Sequence, residues 1–221
     1  QASVQAALLT AVEAEPEDFV RRRLCDTVAT VAIEAFGTAG SVADGWSELW
    51  RCMYAWVTGA AEAQQFVALM LFEMLGEFIA ADMPAHFATF AGIFADRMDA
   101  SKGTPLKVRV AAARAATSCM LTLTPKSSSM DHFGPLVPPI LSVFAAVVGA
   151  REWDGSEVLA SLLIDIAERH ATTFKPVFAD AVGGLLGVAG DASVHNEVRR
   201  LSLNVVVELA RKAPALCRKM P

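Results

Sequence analysis

The sequence predicts an all-α protein, a right-handed α-α superhelix (solenoid) built from about five helix pairs. Three observations carry that expectation. Strand signals are weak, because Tyr occurs once and no useful run alternates polar with apolar residues. Segments with apolar residues three and four apart are long, and short Pro, Gly, Asp or Ser punctuation separates them. Five of these segments can also be laid over one another at a near-constant spacing.

Taken in order, Ser3 to Glu15 forms the first helix, the break "EPED" ends it, and Asp18 to Phe36 forms the second. "GTAGS" precedes a helix from Val42 to Val57, and "TGA" separates that from Ala61 to Ala80. After Pro84 a helix runs through His86 to Met98; "DASKGTP" then leads into Leu106 to Leu123. "TPKSSS" leads to a helix ending at Gly149, the "REWDGS" turn follows, and Glu157 to Ala171 is next. Phe174 to Val188 and Glu197 to Lys212, joined by "AGDASVHN", close the series. The chain therefore reads as a single array with units at roughly 1–40, 41–82, 83–125, 126–172 and 173–221.

The second helices align as "VRRRLCDTVATVA" from Val20, "AQQFVALMLFEML" from Ala63, "VRVAAARAATSCM" from Val108, "VLASLLIDIAERH" from Val158 and "VRRLSLNVVVELA" from Val198. Their starts lie 43, 45, 50 and 40 residues apart, and the longest step coincides with the polar "KSSS" insertion. A helix-pair period of about 40–47 residues is that of HEAT and armadillo repeats. One pair cannot bury its apolar face alone, so each stacks on the next through small residues; Ala111, Ala112, Ala113, Ala115 and Ala116 mark that seam in the third unit. An Arg follows the leading Val at Arg21, Arg109 and Arg199, where HEAT repeats carry a structural ladder of polar contacts between units. Gln64 and Leu159 stand at that place in the second and fourth units, so the ladder is expected to be incomplete.

Several function classes are disfavoured. With 54% apolar residues, 19% charged residues and a mean hydropathy of +0.40, a membrane span has to be considered. The uncharged stretch Phe133 to Ala150 is the candidate, but Pro135, Pro138 and Pro139 restrict a continuous helix to Ile140 to Ala150, too short to span about 30 Å. The chain opens "QASVQAALLT", with no Met and no basic region, so no secretory leader is expected and it reads as a processed form or a piece of something longer. Cys25, Cys52, Cys119 and Cys217 form no C-x-x-C pair and read as free buried thiols; the four His are equally scattered, and no metal or cofactor is expected. Net charge −5 argues against direct nucleic-acid binding and permits basic partners. Asp131 and His132 beside "SSS" form no triad, and no phosphate-loop spacing occurs, so no enzyme activity is expected.

"FVRRRLCDTVATVA", "LKVRVAAARAATSCML", "HFGPLVPPILSVF", "FKPVFADAVGGLLGVAGD" and "VRRLSLNVVVELARKAPALCRK", in this order, resemble an N-terminal stretch of the importin-β (karyopherin-β) superfamily, most closely the beta-3 type of importin. The resemblance implies a nuclear transport receptor that shuttles between cytoplasm and nucleus through the nuclear pore. Basic cargo proteins would bind its concave face, Ran-GTP would unload it, and FG nucleoporins would touch its outer helices. The first repeats and the acidic loop of such receptors lie outside this stretch, so Ran-GTP binding is expected of the full-length receptor and only in part, or not at all, of this chain. The alternative is a HEAT scaffold subunit of another complex, of phosphatase or chromatin type. A HEAT-like DNA glycosylase is disfavoured by the charge.

In the aligned register, positions seven, eleven and fifteen of the second helices lie four apart, on one face. They predict a polar, largely acidic inner stripe of Asp26, Thr30, Glu34; Leu69, Glu73, Glu77; Arg114, Ser118, Thr122; Ile164, Glu168, Thr172; and Asn204, Glu208, Lys212, with Asp165 alongside. Such a stripe is either a track for Lys- and Arg-rich segments or an ordinary solvated face. Trp46, Trp50 and Trp56 read as filling between units, and Trp153, placed in a turn, as an exposed aromatic for a partner. Ala7, Leu8, Leu9 and the tail Pro214 to Pro221 are expected on apolar end faces.

Overall fold

The structure, a computed structural model, describes residues 2–40, 45–125 and 127–218. No strand occurs among them. The helices are α1 (Ala2–Ala14), α2 (Asp18–Ala39), α3 (Ser47–Thr58), α4 (Glu62–Met74), α5 (Gly76–Asp82), α6 (Phe87–Met98), α7 (Leu106–Thr122), α8 (Met130–Phe133), α9 (Val137–Gly149), α10 (Trp153–His170), α11 (Phe178–Gly190), α12 (Asn196–Lys212) and α13 (Pro214–Cys217), with short 3-10 turns before α6, α7, α9 and α11. The expected start of the third helix, Val42 to Asp44, and the tail residues 219–221 lie outside the described residues.

The pairing follows the sequence: α1 packs on α2, α3 on α4, α6 on α7, α9 on α10 and α11 on α12. Along the array the second helices pack closely on one another, α4 on α7 and α10 on α12 most of all, whereas successive first helices touch far less. The second helices therefore form the crowded inner row and the first helices the splayed outer row. The alanine seam explains how α7 sits at the centre of the stack. Ala112, Ala113, Ala115 and Ala116 are completely buried and Ala111 nearly so, which lets α4, α6 and α10 approach it from three sides. Fully buried hydroxyls in these helices are satisfied locally, Thr117 donating to the Ala113 carbonyl at 2.8 Å and Ser202 to that of Val198 at 2.8 Å.

The recurring arginines do not run between units. Each donates to a carbonyl at the end of the first helix of its own pair: Arg21 Nε to Glu15 at 3.0 Å, Arg109 Nε to Met98 at 3.1 Å, and Arg199 Nε to Ala189 at 2.9 Å. A helix leaves its last four carbonyls without intrahelical donors, and a planar guanidinium from the next helix supplies one while fixing the angle of the turn. In the second pair Gln65, not Gln64, plays this part, donating to the Gly59 carbonyl at 2.7 Å. Gln64 reaches across to Glu13 of the first pair at 2.6 Å. In the fourth pair Leu159 is fully buried. Arg109 is itself buried, so Arg109→Ala is expected to lower stability by about 1–3 kcal/mol, through an unpaired carbonyl and lost packing. Urea unfolding checks this; a cost no greater than that of an alanine at an exposed helical arginine such as Arg22 would contradict the pinning role.

Trp46 and Trp56 are buried, and Trp50 lies 5.9 Å from Phe36 and 6.4 Å from Phe72, so these three are core filling as expected. The prolines of the apolar stretch do not confine the helix as expected. Pro135 sits in a 3-10 turn and Pro138 in the first turn of α9, where no amide donor is lost, so a helical run extends from Met130 to Gly149. That run is 20 residues long with mean hydropathy 1.6, enough in length and composition to cross a membrane. Here it lies in the stack, with Val137, Ile140, Val143, Phe144 and Val147 buried and α9 packed on α7 and α10. On the N-terminal face Leu9 is buried, Leu8 half-buried and Ala7 exposed. At the other end Leu203 and Val207 of α12 are exposed.

His170, the last residue of α10, is buried, and neither ring nitrogen has a partner meeting hydrogen-bond geometry. Burial pushes its pKa below the ordinary 6.5, opposed in part by the Met120 backbone facing the ring. The unfolded imidazole therefore takes its proton at a higher pH than the folded one. Stability is expected to fall as pH drops through 6.5 toward the lowered value, by up to about 1.4 kcal/mol per pH unit. Thermal unfolding at neutral and mildly acid pH tests this: His170→Leu is expected to flatten that slope, and an unchanged slope would contradict it.

Candidate binding groove

The inner row is tied by polar contacts between units, made by residues other than the recurring arginines. Lys107 of α7 pairs with Asp18 of α2, which also holds Arg21; the ammonium keeps the Asp18 carboxyl below the usual carboxylate range. The first pair thus touches the third directly. Arg169 donates to the Leu121 carbonyl at 2.9 Å, joining the third pair to the fourth. Between the fourth and fifth, His195 meets Glu157 at 3.0 Å with Trp153 stacked on its ring at 6.4 Å, and Arg211 lies 3.8 Å from Glu168.

Glu73 is the best-held residue of this face. Arg114 of α7 grips its carboxylate through Nε at 2.9 and 3.0 Å and through a terminal nitrogen at 2.7 Å, and Ser118 donates to its backbone carbonyl at 2.7 Å. The helix breaks immediately afterwards, at Leu75 between α4 and α5, and the Ser118 hydroxyl supplies a donor to the carbonyl at that break. Beside this clasp the inner face opens into a cavity of about 190 Å³ whose lining includes Arg22, Phe66, Met70, Lys107, Arg114 and Glu152. Lys107 Nζ lies 4.2 Å from the centre of the Phe66 ring.

The predicted stripe is only partly acidic. Leu69 is fully buried, part of the hydrophobic core rather than of a solvated face. Glu73 and Glu208 are occupied, the latter by Arg211 at 2.7 and 3.0 Å, and Asp26 lies 3.7 Å from Arg23. Glu34 and Glu77 are exposed, with no ion-pair partner within 4 Å among the described residues. Asp165 is half-buried, its pKa raised by burial and by Glu168 and lowered by Arg169. Glu168 is half-exposed, and Asn204 is half-buried on α12. Trp153 is not in an exposed turn. It opens α10, half-buried, because Arg151 in the left-handed region (φ 59°) makes the turn and Gly155 lets α10 come close to Val147. Sequence reasoning missed the basic members Arg22 and Lys107, although both stand one turn from residues it named.

On the outer row, α9 and α11 enclose a second, apolar cavity of about 280 Å³, lined by Leu141, Phe144, Val177, Leu185 and Val188 among others, with Asp180 as its charged member. No group of three or more metal-ligating side chains occurs among the described residues. A family model described as "IPO5-like, TPR repeats" matches residues 16–183. The chain belongs to the IPO5-like family. This IPO5-like chain also resembles the solved karyopherin Kap121p over 98% of its length, at 18% identity and a TM-score of 0.75. Kap121p bound to Nup53p and Kap121p bound to the SUMO protease Ulp1p match at the same identity and TM-scores of 0.74. The chain spans 20% of each of those solved chains. Its fold is that of the karyopherin solenoids, an all-α superhelix of about five HEAT repeats.

Proposed function

We propose that this chain is a non-enzymatic segment of an importin-β-like nuclear transport receptor that holds basic cargo segments on its inner row during Ran-dependent import. The family match over residues 16–183 carries the reading. Support comes from the solved relatives, since Kap121p has been seen bound to Ulp1p, to Ste12p and to the extreme C-terminus of the phosphatase Cdc14p. Glu34, Glu77, Asp165 and Glu168 are the carboxylates left open or only loosely paired, and they sit on α2, α5 and α10, in the inner row and its extension. Carboxylates spaced along a groove engage an extended Lys- or Arg-rich segment at several points. The outer cavity between α9 and α11 has the size and apolar lining to take a Phe side chain, which suits FG nucleoporin contact, as Kap121p has been seen with Nup53p. Work of this kind places the receptor in cytoplasm and nucleus and at the pore, with Ran-GTP acting on the full-length protein. Titration of a labelled Lys/Arg-rich peptide with this chain at low and physiological salt tests the reading. Saturable binding that weakens with salt is expected, and no saturation at low salt would count against it.

A further inference from the structure

The inner cavity beside the Glu73 clasp differs from a basic-cargo track in the hydrogen-bond donors it leaves unspent. Three cations line it, and each has donors to spare. Arg22 is exposed and has no ion pair among the described residues. Arg114 commits Nε and one terminal nitrogen to Glu73, leaving its other terminal nitrogen without a bond among the described residues. Lys107 gives one of its three protons to Asp18. Phe66, Met70 and Val110 supply apolar wall.

We infer that this cavity receives an acidic side chain, Asp or Glu, from an extended segment of a protein partner. A carboxylate meets unspent donors from Arg22, Lys107 and Arg114, while its methylene stem lies against Phe66 and Met70. The volume of about 190 Å³ suits one residue. Glu73 and Glu152 in the same lining, with Asp18 on Lys107, balance the formal charge of the three cations, which favours a singly charged carboxylate held by their unspent donors over a doubly charged phosphate. This acidic-ligand site is separate from the basic-cargo track, since it uses different residues and takes the opposite ligand charge.

The experiment is fluorescence anisotropy with a labelled peptide carrying Glu and Phe in a Gly-Ser background, beside the same peptide with Gln for Glu, and a Lys/Arg-rich peptide measured in parallel. The Glu peptide is expected to saturate, with the Gln peptide about tenfold weaker, the loss of one charge-assisted contact. Arg22→Glu is expected to weaken the Glu peptide by about tenfold or more and to leave the basic peptide bound at least as well. Lys107→Gln provides a second variant, each first shown to unfold at a temperature near that of the parent. Equal binding of the Glu and Gln peptides, or undiminished binding by both variants, overturns the inference. Displacement by inorganic phosphate beyond that produced by chloride at matched ionic strength also overturns it, because the site would then take small anions. Failure of the basic peptide alone would touch only the proposed transport function.

Discussion

Gly76→Ala is expected to destabilise the protein by about 1–3 kcal/mol, against the usual sign for such a change. In an open helix, replacing Gly by Ala gains about 0.5–1 kcal/mol, because Ala loses less backbone entropy on folding. At Gly76 the added Cβ would lie 2.4 Å from the Ser118 hydroxyl oxygen and 3.1 Å from the Ser118 Cβ, so either α5 or α7 has to move. Overpacking of that severity typically costs more than the propensity gain returns. The contact that must yield is the one placing Ser118 on the Glu73 carbonyl, so the clasp and the angle between the second and third pairs are disturbed together. Gly187→Ala in α11 is the control. Nothing lies within 4 Å of its added Cβ, and it is expected to stabilise by about 0.5–1 kcal/mol. Thermal unfolding of the two variants gives opposite signs if this packing is right. In a double-mutant cycle Gly76→Ala and Ser118→Ala are expected to cost less together than the sum of the two alone.

The larger functional effect is expected from neutralising the open carboxylates. Glu34→Gln, Glu77→Gln, Asp165→Asn and Glu168→Gln combined should weaken a Lys/Arg-rich peptide by about ten- to a thousandfold, taking each exposed contact as about 0.3–1 kcal/mol. Changing Glu73 and Glu208 instead is expected to act mainly on stability, because Arg114 and Arg211 would each lose a partner.

How far the sequence carries can be judged residue by residue. The alanine seam was legible because small residues at helical spacing have few uses other than close packing, and the structure buries all five. The arginine positions were legible but their partners were not. Whether an Arg meets a carbonyl of its own pair or of the next depends on connector length, and the bonds here span 6, 11 and 10 residues. One overlooked signal was available: "DAS" occurs in the connectors before both Arg109 and Arg199, and in each Asp99 or Asp191 accepts from the Ser amide two residues on at 2.8 Å. The one-residue error between Gln64 and Gln65 has the same origin, since register after a short turn is set by backbone geometry rather than by pattern. Asp154, Gly155 and Ser156 looked like a turn, yet Asp154 suits the first turn of a helix and Gly155 serves close packing. The charge of the inner face was least legible. The partner of Glu73 stands 41 residues away on another helix, and only the crossing of α4 with α7 brings them together.

The most direct test of the transport account is the affinity of a labelled Lys/Arg-rich peptide for the parent chain and for the variant lacking the carboxylates of Glu34, Glu77, Asp165 and Glu168, at physiological salt. Saturable binding by the parent, weakened at least tenfold in a variant that unfolds at nearly the same temperature, is the predicted result. Equal affinity for both, or no saturation by the parent, would contradict a basic-cargo track on the inner row.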